Sequence, residues 1–357
     1  MSVEKRYSSE SVKKMRVAVV GAGIIGVTSA FAVKSAFPNY EVKIFADAFS
    51  PDTTGDGSAG LWTPYLLNDT PIEDIIRWAA STHKWFEQLW KAGLSLEMGV
   101  SLVPVTRVTS DCENDITEPK WAKLVYGFQK ISNERLQRLN EEHKSNYKQG
   151  CHFITYTAEP ALLLPWLMKK FVALGGKMER RNIKSLYQLA KEGYNLIINC
   201  SGLGARELVA DKTMTPIRGQ VFRVKAPWVM HCFLVDDDAC NYIIPNVHSA
   251  VIGGTHQEGD FDRSVREEDS KHIYDGCCCI MPSLKESEIL RAWVGFRPGR
   301  PRVRLECECL RSPMGKEFKV IHNYGHGGSG VTLCWGCAMD VVEMIRNLKM
   351  PELNSKL

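Results

Sequence analysis

Two kinds of hydrophobic pattern alternate along this chain, and its first 47 residues contain both. Residues 16–20 (RVAVV) form a short apolar run, bounded at once by Gly21-Ala22-Gly23-Ile24-Ile25-Gly26 and then by VTSAFAVKSAF. That order predicts a strand, a glycine turn and a helix ending near Pro38-Asn39. Residues 41–45 (EVKIF) read as a second strand closing on Ala46-Asp47, a βαβ unit with an acid at its end. Periodicity then disappears over SPDTTGDGSAGLWTPYLL (residues 50–67), a long loop of the kind that tends to carry function.

Ile75, Trp78, Ala79, Trp85, Phe86, Leu89 and Trp90 recur at helical spacing and predict a helix burying an aromatic face. Residues 107–150 are polar and charge-rich, with a helix expected at NERLQRLNEEH and no evident chemistry. LLLPWLMKKFVALGG reads as a helix with a glycine stop, followed by a strand over 177–180. Residues 194–202 (YNLIINCSG) read as a buried strand ending in a small-residue turn. QVFRVKA, YIIPN and AVIGGT suggest an antiparallel sheet between residues 219 and 254, and VTLCWGCAMDVVEMIRNL returns to helix.

Composition narrows the class. Of 357 residues 44% are hydrophobic and 24% charged, as in an ordinary globular protein. The net charge of +4 is too small to argue for a nucleic-acid partner, and no run approaches a membrane span of about 18 apolar residues. Residues 1–15 begin MSVEKRYSSESVKK without an apolar signal region and read as a disordered lead-in. The twelve cysteines are therefore expected to stay reduced. Cys334 and Cys337 have CxxC spacing but no second pair, Cys277, Cys278 and Cys279 suit a buried helical face, and His322 and His326 lie in a glycine-rich stretch. No metal site is expected.

GAGIIG between a strand and a helix lets the backbone turn tightly, a pyrophosphate approach the helix N-terminus, and helix pack on strand. Asp47 is placed to accept hydrogen bonds from an adenosine ribose. The motif alone does not distinguish NAD from FAD. No histidine stands out as the acid–base group of a nicotinamide-dependent dehydrogenase. Three small-residue stretches (53–62, NCSGLG at 199–204 and GHGGSG at 325–330) offer backbone N–H groups suited to a flavin ring.

VVGAGIIG, DTTGDGSAGLW, NCSGLGAR, RGQVFRVKAPW, YIIP, GGT, GFRPGRPRVRLE and IHNYGHGGSGVTLCWGCA together resemble the D-amino-acid oxidase and D-aspartate oxidase family of FAD enzymes, over about residues 16–345. The resemblance implies an α/β protein: a Rossmann-like FAD-binding domain from residues 16–70, 151–212 and 300–350, and a substrate domain on a largely antiparallel sheet from 71–150 and 213–299. It implies that Arg297 holds the substrate carboxylate and that Tyr242 helps fix it, with Ser329 and His256 lining the pocket. It assigns FAD contacts to Gly21, Ala22, Gly23, Ile24, Ile25, Gly26, Asp47, Thr53, Thr54, Ala59, Gly60, Leu61, Ile183, Ser201, Gly327, Gly328, Ser329, Gly330, Val331 and Thr332. The implied reaction moves a hydride from the Cα of a D-amino acid to flavin N5, giving a 2-oxo acid, ammonia and, with dioxygen, hydrogen peroxide.

Specificity divides the signals. The segment 234–241 before YIIP is short, as in the D-aspartate branch. That branch places arginines there and just after GGT, where this chain has Val235 or a neighbouring aspartate, and His256. A second substrate carboxylate would meet Asp236, Asp237 and Asp238 unless they face solvent or another arginine, such as Arg223, reaches in. A flavin oxidase of secondary amines would share the FAD half but lack the GFRP arginine, and a non-enzymatic dinucleotide-binding scaffold would need neither Arg297 nor Tyr242. Ser355-Lys356-Leu357 reads as the tripeptide bound by the peroxisomal import receptor, which suits an oxidase that releases peroxide.

Overall fold

Val17 to Val20 are buried because the Arg16–Val20 strand lies inside a sheet, parallel to Glu41–Ala46 on one side and Leu196–Asn199 on the other. Its side chains alternate between two cores, as a period of two requires. Val17 and Val19 join Ile24, Val27 and the C-terminal helix residues Leu333 and Val341. Ala18 and Val20 join Phe45, Leu186 and Leu189. The computed structural model describes residues 14–113, 115–237, 240–312, 315 and 317–348, so the Ser355-Lys356-Leu357 tripeptide and Asp238 lie outside the described residues.

The six-stranded sheet runs, in spatial order, Arg304–Arg311, Glu317–Tyr324, Leu196–Asn199, Arg16–Val20, Glu41–Ala46 and Lys177–Arg180. All its pairings are parallel except the hairpin of the first two strands. The helix Ile24–Ala36 packs on this sheet and against the helix Gly330–Asn347.

A nine-stranded sheet carries the second half of the architecture: Gln257–Glu258, Thr215–Lys225, Ala250–Gly253, Tyr242–Pro245, Cys232–Val235, Val100–Thr109, Gln149–Ala158 and Tyr126–Lys130, with Glu288–Gly299 also paired to Thr215–Lys225. It is antiparallel save where Val100–Thr109 runs parallel to Cys232–Val235.

Three expectations are corrected. The sequence boundaries put residues 151–158 with the first domain, but Gln149–Ala158 pairs along its whole length with Val100–Thr109 in the second sheet. The helix Ile72–Lys91, expected in the substrate domain, docks on Gly330–Asn347: Trp85 stacks on Trp335 at 4.6 Å and Trp78 Nε1 donates to Asp340 at 2.7 Å. Cys277 and Cys278 are buried on the helix Glu267–Ile280, but Cys279 is exposed. The CxxC pair belongs to a packing seam. Cys334 and Cys337 are buried, and a Cβ on Gly336 between them would stand 2.3 Å from the backbone of Trp78. No helix among the described residues is long and apolar enough to cross a membrane.

Candidate active site

The three glycines of the first turn do different work. Gly21 has φ +107°, and a Cβ there would lie 2.3 Å from the Cys200 carbonyl oxygen. A Cβ on Gly26 would lie 2.0 Å from the Gly21 oxygen, so this residue sets the close helix–strand packing. A Cβ on Gly23 would meet nothing within 4 Å: this is open space at the start of the helix. Gly23 caps that helix without a side-chain hydrogen bond, and no acid occupies its first turn, so its amide donors suit an anion. Asp47 is exposed just beyond Glu41–Ala46, at the C-terminal ends of the parallel strands. This donor and acceptor set fits the pyrophosphate and ribose of a dinucleotide such as FAD.

The loop from residue 53 is held from two sides. Thr53 donates through N (2.9 Å) and Oγ1 (2.6 Å) to Asp56 Oδ2, so its hydroxyl serves the loop itself. Across the cleft, Asn246 Nδ2 donates to the Ala59 carbonyl at 2.9 Å, and Arg223 Nη2 to those of Asp56 (3.3 Å) and Ser58 (3.2 Å). Arg223 also pairs with buried Glu159 at 3.2 Å. It is a clamp outside the cavity wall, not the substrate-reaching arginine considered from sequence.

Between this loop and the second sheet lies a cavity of about 190 Å³, walled by Thr54, Ala59, Gly60, Leu61, Gly328 and Val331 from the first side and by Val221, Leu234, Ile244, Trp293, Tyr242 and Arg297 from the second. Arg297 Nη1 donates to the Thr255 carbonyl at 3.1 Å. Glycine makes room for it, because a Cβ on Gly219 would stand 2.5 Å from Nη1. Gly253 does the same for Tyr242, whose hydroxyl a Cβ would approach to 2.6 Å. Burial raises the pKa of Tyr242 despite the opposing Arg297 charge, so the phenol keeps its proton as a donor. Tyr65, also in the wall, is pushed well above the usual tyrosine range by burial and the Cys240 thiol, again against Arg297.

Other expected residues lie elsewhere. Ser329 is fully buried: its Oγ donates to the Tyr65 carbonyl (2.6 Å) and accepts from the Tyr65 amide (2.7 Å). Thr332 Oγ1 does the same with Thr63, donating at 3.0 Å and accepting at 3.2 Å. Neither hydroxyl lines the cavity. Both staple the 63–65 segment to the C-terminal helix. His256 is also outside the wall, with Nε2 3.7 Å from Glu258 and its ring 6.3 Å from that of Tyr65. Ile183 is buried with Val20 and Phe45, and Ser201 Oγ donates to Asn199 at 2.7 Å. Ala22 and Ile24 are buried, Ile25 is half-buried, and Gly327 (φ +52°) donates its amide to the Pro298 carbonyl at 3.0 Å. A Cβ on Gly330 would lie 3.4 Å from Ile24.

Sequence reasoning missed Tyr65, Trp293 and Arg107 in the wall, and Asp236, which it left open as facing either substrate or solvent, lines it too. Tyr65 had a signal, as an aromatic in the aperiodic loop. Arg107 had none, because residues 107–150 showed no chemistry. Arg107 Nη2 pairs with Asp236, and Ser110 Oγ donates to Asp237 at 2.9 Å. The wall's charged residues, among those described, are Arg107, Asp236 and Arg297.

Comparison with known proteins agrees with this geometry. Residues 16–344 match the DAO family model, described as FAD dependent oxidoreductase. The chain is 37% identical to a human D-aspartate oxidase over 96% of its own length and 99% of the relative's. It is 36% identical to a D-amino acid oxidase of Dugesia ryukyuensis, over 94% and 98%. In fold it is similar to glycine oxidase from Bacillus cereus (TM-score 0.71, 17% identity, 93% of this chain and 95% of that one). L-Proline dehydrogenase from P. horikoshii is equally similar in fold (TM-score 0.71, 18% identity, 95% of each chain).

Proposed function

We propose, from the premise that this chain belongs to the DAO family of FAD-dependent oxidoreductases, that it is an oxidase which oxidatively deaminates D-amino acids. The observation that carries the reading is the meeting of Arg297 and Tyr242 at one cavity wall, each in space left by a glycine. A guanidinium presents parallel donors to a planar carboxylate, and the protonated phenol adds a third. Together they fix the α-carboxylate and so orient Cα. FAD, when bound by the Gly23 turn, Asp47 and the 54–61 loop, supplies the acceptor for the Cα hydride. Val221, Leu234, Ile244 and Trp293 keep the site apolar, so orientation and exclusion of water do most of the work. The net reaction turns a D-amino acid, dioxygen and water into a 2-oxo acid, ammonia and hydrogen peroxide.

The test is peroxide release by the purified holoprotein with D-Ala, D-Met, D-Asp, D-Glu, their L-enantiomers and sarcosine. Peroxide with D- but not L-amino acids is expected; none with any D-amino acid refutes the reading, and turnover of sarcosine alone moves it to secondary amines. Peroxisomal import through Ser355-Lys356-Leu357 is part of the proposal. Imaging the chain with an N-terminal fluorescent fusion, with and without that tripeptide, tests it; identical diffuse distributions would remove it.

A further inference from the structure

Arg107, Leu234, Tyr242 and Gly253 stand side by side on four neighbouring strands: Arg107 is in register with Leu234, Leu234 with Tyr242, and Tyr242 with Gly253. Residues in register across a sheet share a face, and two strand spacings separate the backbones of Arg107 and Tyr242 by about 10 Å. Arg107, Leu234 and Tyr242 all line the cavity. The row is therefore a ruler, with the α-carboxylate site at Tyr242 and Arg297 and the Arg107–Asp236 pair at the far end. A four- or five-carbon amino acid with a hydrogen bond of about 2.9 Å at each end spans roughly that distance.

The far end is charged on both sides of zero. Nη2 of Arg107 is committed to Asp236, and its guanidinium makes no other hydrogen bond among the described residues. Asp236 lines the cavity beside it. A substrate side-chain carboxylate reaching Arg107 would lie against the Asp236 charge, and an ammonium reaching Asp236 would lie against Arg107. A carboxamide meets both: its carbonyl accepts from the guanidinium and its NH₂ donates to the carboxylate.

We infer that Arg107 and Asp236 select D-amino acids with an uncharged carboxamide side chain, the D-asparagine and D-glutamine class, over their acidic counterparts. The inference rests on the oxidase reading above and adds the side-chain specificity of the same site. Val235 fits it, since the resemblance to D-aspartate oxidases expects an arginine in this segment and Val235 brings no charge to the wall.

The experiment measures kcat/KM of the holoenzyme for D-Ala, D-Asn, D-Gln, D-Asp and D-Glu at pH 7.5. The ratios D-Gln to D-Glu and D-Asn to D-Asp should each be about tenfold or more, the size of one charge-assisted hydrogen bond gained or lost. Asp236→Asn should lower both ratios at least tenfold, because the acid then meets Arg107 without a competing charge. Ratios within one variant do not depend on its flavin loading or overall activity. Turnover of D-Ala with wild-type ratios at or below one overturns the inference and leaves the oxidase reading intact. Ratios unmoved by Asp236→Asn overturn it as well. No turnover of any D-amino acid removes both.

Discussion

Gly219 and Arg297 occupy one space: the guanidinium of Arg297 lies where a side chain on Gly219 would begin, with Nη1 2.5 Å and Cζ 2.7 Å from that Cβ position. Gly219→Ala must displace the charge that holds the substrate. A shift of about 1 Å at such a group costs roughly 100-fold in rate. Steady-state kinetics should show kcat/KM falling by about that factor while the visible flavin absorbance is retained.

Arg297→Leu removes the charge outright. The buried carboxylate of a bound substrate then loses a paired cation, and kcat/KM should fall about 1,000-fold or more. Arg297→Lys restores a charge without the fork and should recover only part. Unchanged kinetics in the leucine variant would take Arg297 out of the carboxylate site.

Ser329→Ala strips both hydrogen bonds from the Tyr65 backbone. Leaving those buried groups unpaired costs about 1–3 kcal/mol. Thermal unfolding should drop by a few degrees and KM should rise, because Tyr65 borders the cavity. A variant with wild-type midpoint and KM would show that the staple does not hold the wall.

Asp47 is exposed, so its removal is expected to leave the apoprotein's unfolding midpoint unchanged. Asp47→Asn should raise the Kd for FAD about tenfold, a charge-assisted hydrogen bond weakened to a neutral one. Titrating apoprotein with FAD by fluorescence measures it, and equal affinities would free Asp47 of the ribose role.

Burial lowers the pKa of His83 to about 4, against the raising effect of Glu87, and that of His326 to about 3. Each Nε2 is buried without a hydrogen-bond partner among the described residues. Both rings are neutral in the folded and unfolded chain above the free histidine value near 6.5, where their contribution to stability is complete. Below it the unfolded chain takes up protons first, so stability falls with pH, by about 1.4 kcal/mol per unit for each ring, until the folded values are reached. Denaturant midpoints at pH 7, 6 and 5 should decline at least that steeply, and His326→Asn should remove one ring's share of the decline.

What could be read from sequence was what a short segment decides alone. The GAGIIG turn, the helix over 72–90 and the strand at YIIP follow from local pattern. Arg297 was found through its GFRP setting and the family resemblance. Arg107 escapes because it opens a stretch that reads only as polar and charge-rich, and its position comes from pairing with Leu234 far along the chain. The family resemblance assigns ligand contacts to Ser329 and Thr332. What it does not reveal is that their hydroxyls bond residues 65 and 63, more than 260 positions away. The Gln149–Ala158 strand was misassigned for the same reason, since only its partner says which sheet it joins.

The six-stranded sheet draws its strands from three stretches, 16–46, 177–199 and 304–324. On the ribosome the Arg16–Val20 strand emerges first, its neighbour Leu196–Asn199 follows some 180 residues later, and Glu317–Tyr324 later still. At ordinary elongation rates the nascent apolar edge waits on the order of tens of seconds for its partners. Every strand of the nine-stranded sheet lies between residues 100 and 299, so that half can pair while the six-stranded sheet still waits for Glu317–Tyr324 to cover its edge.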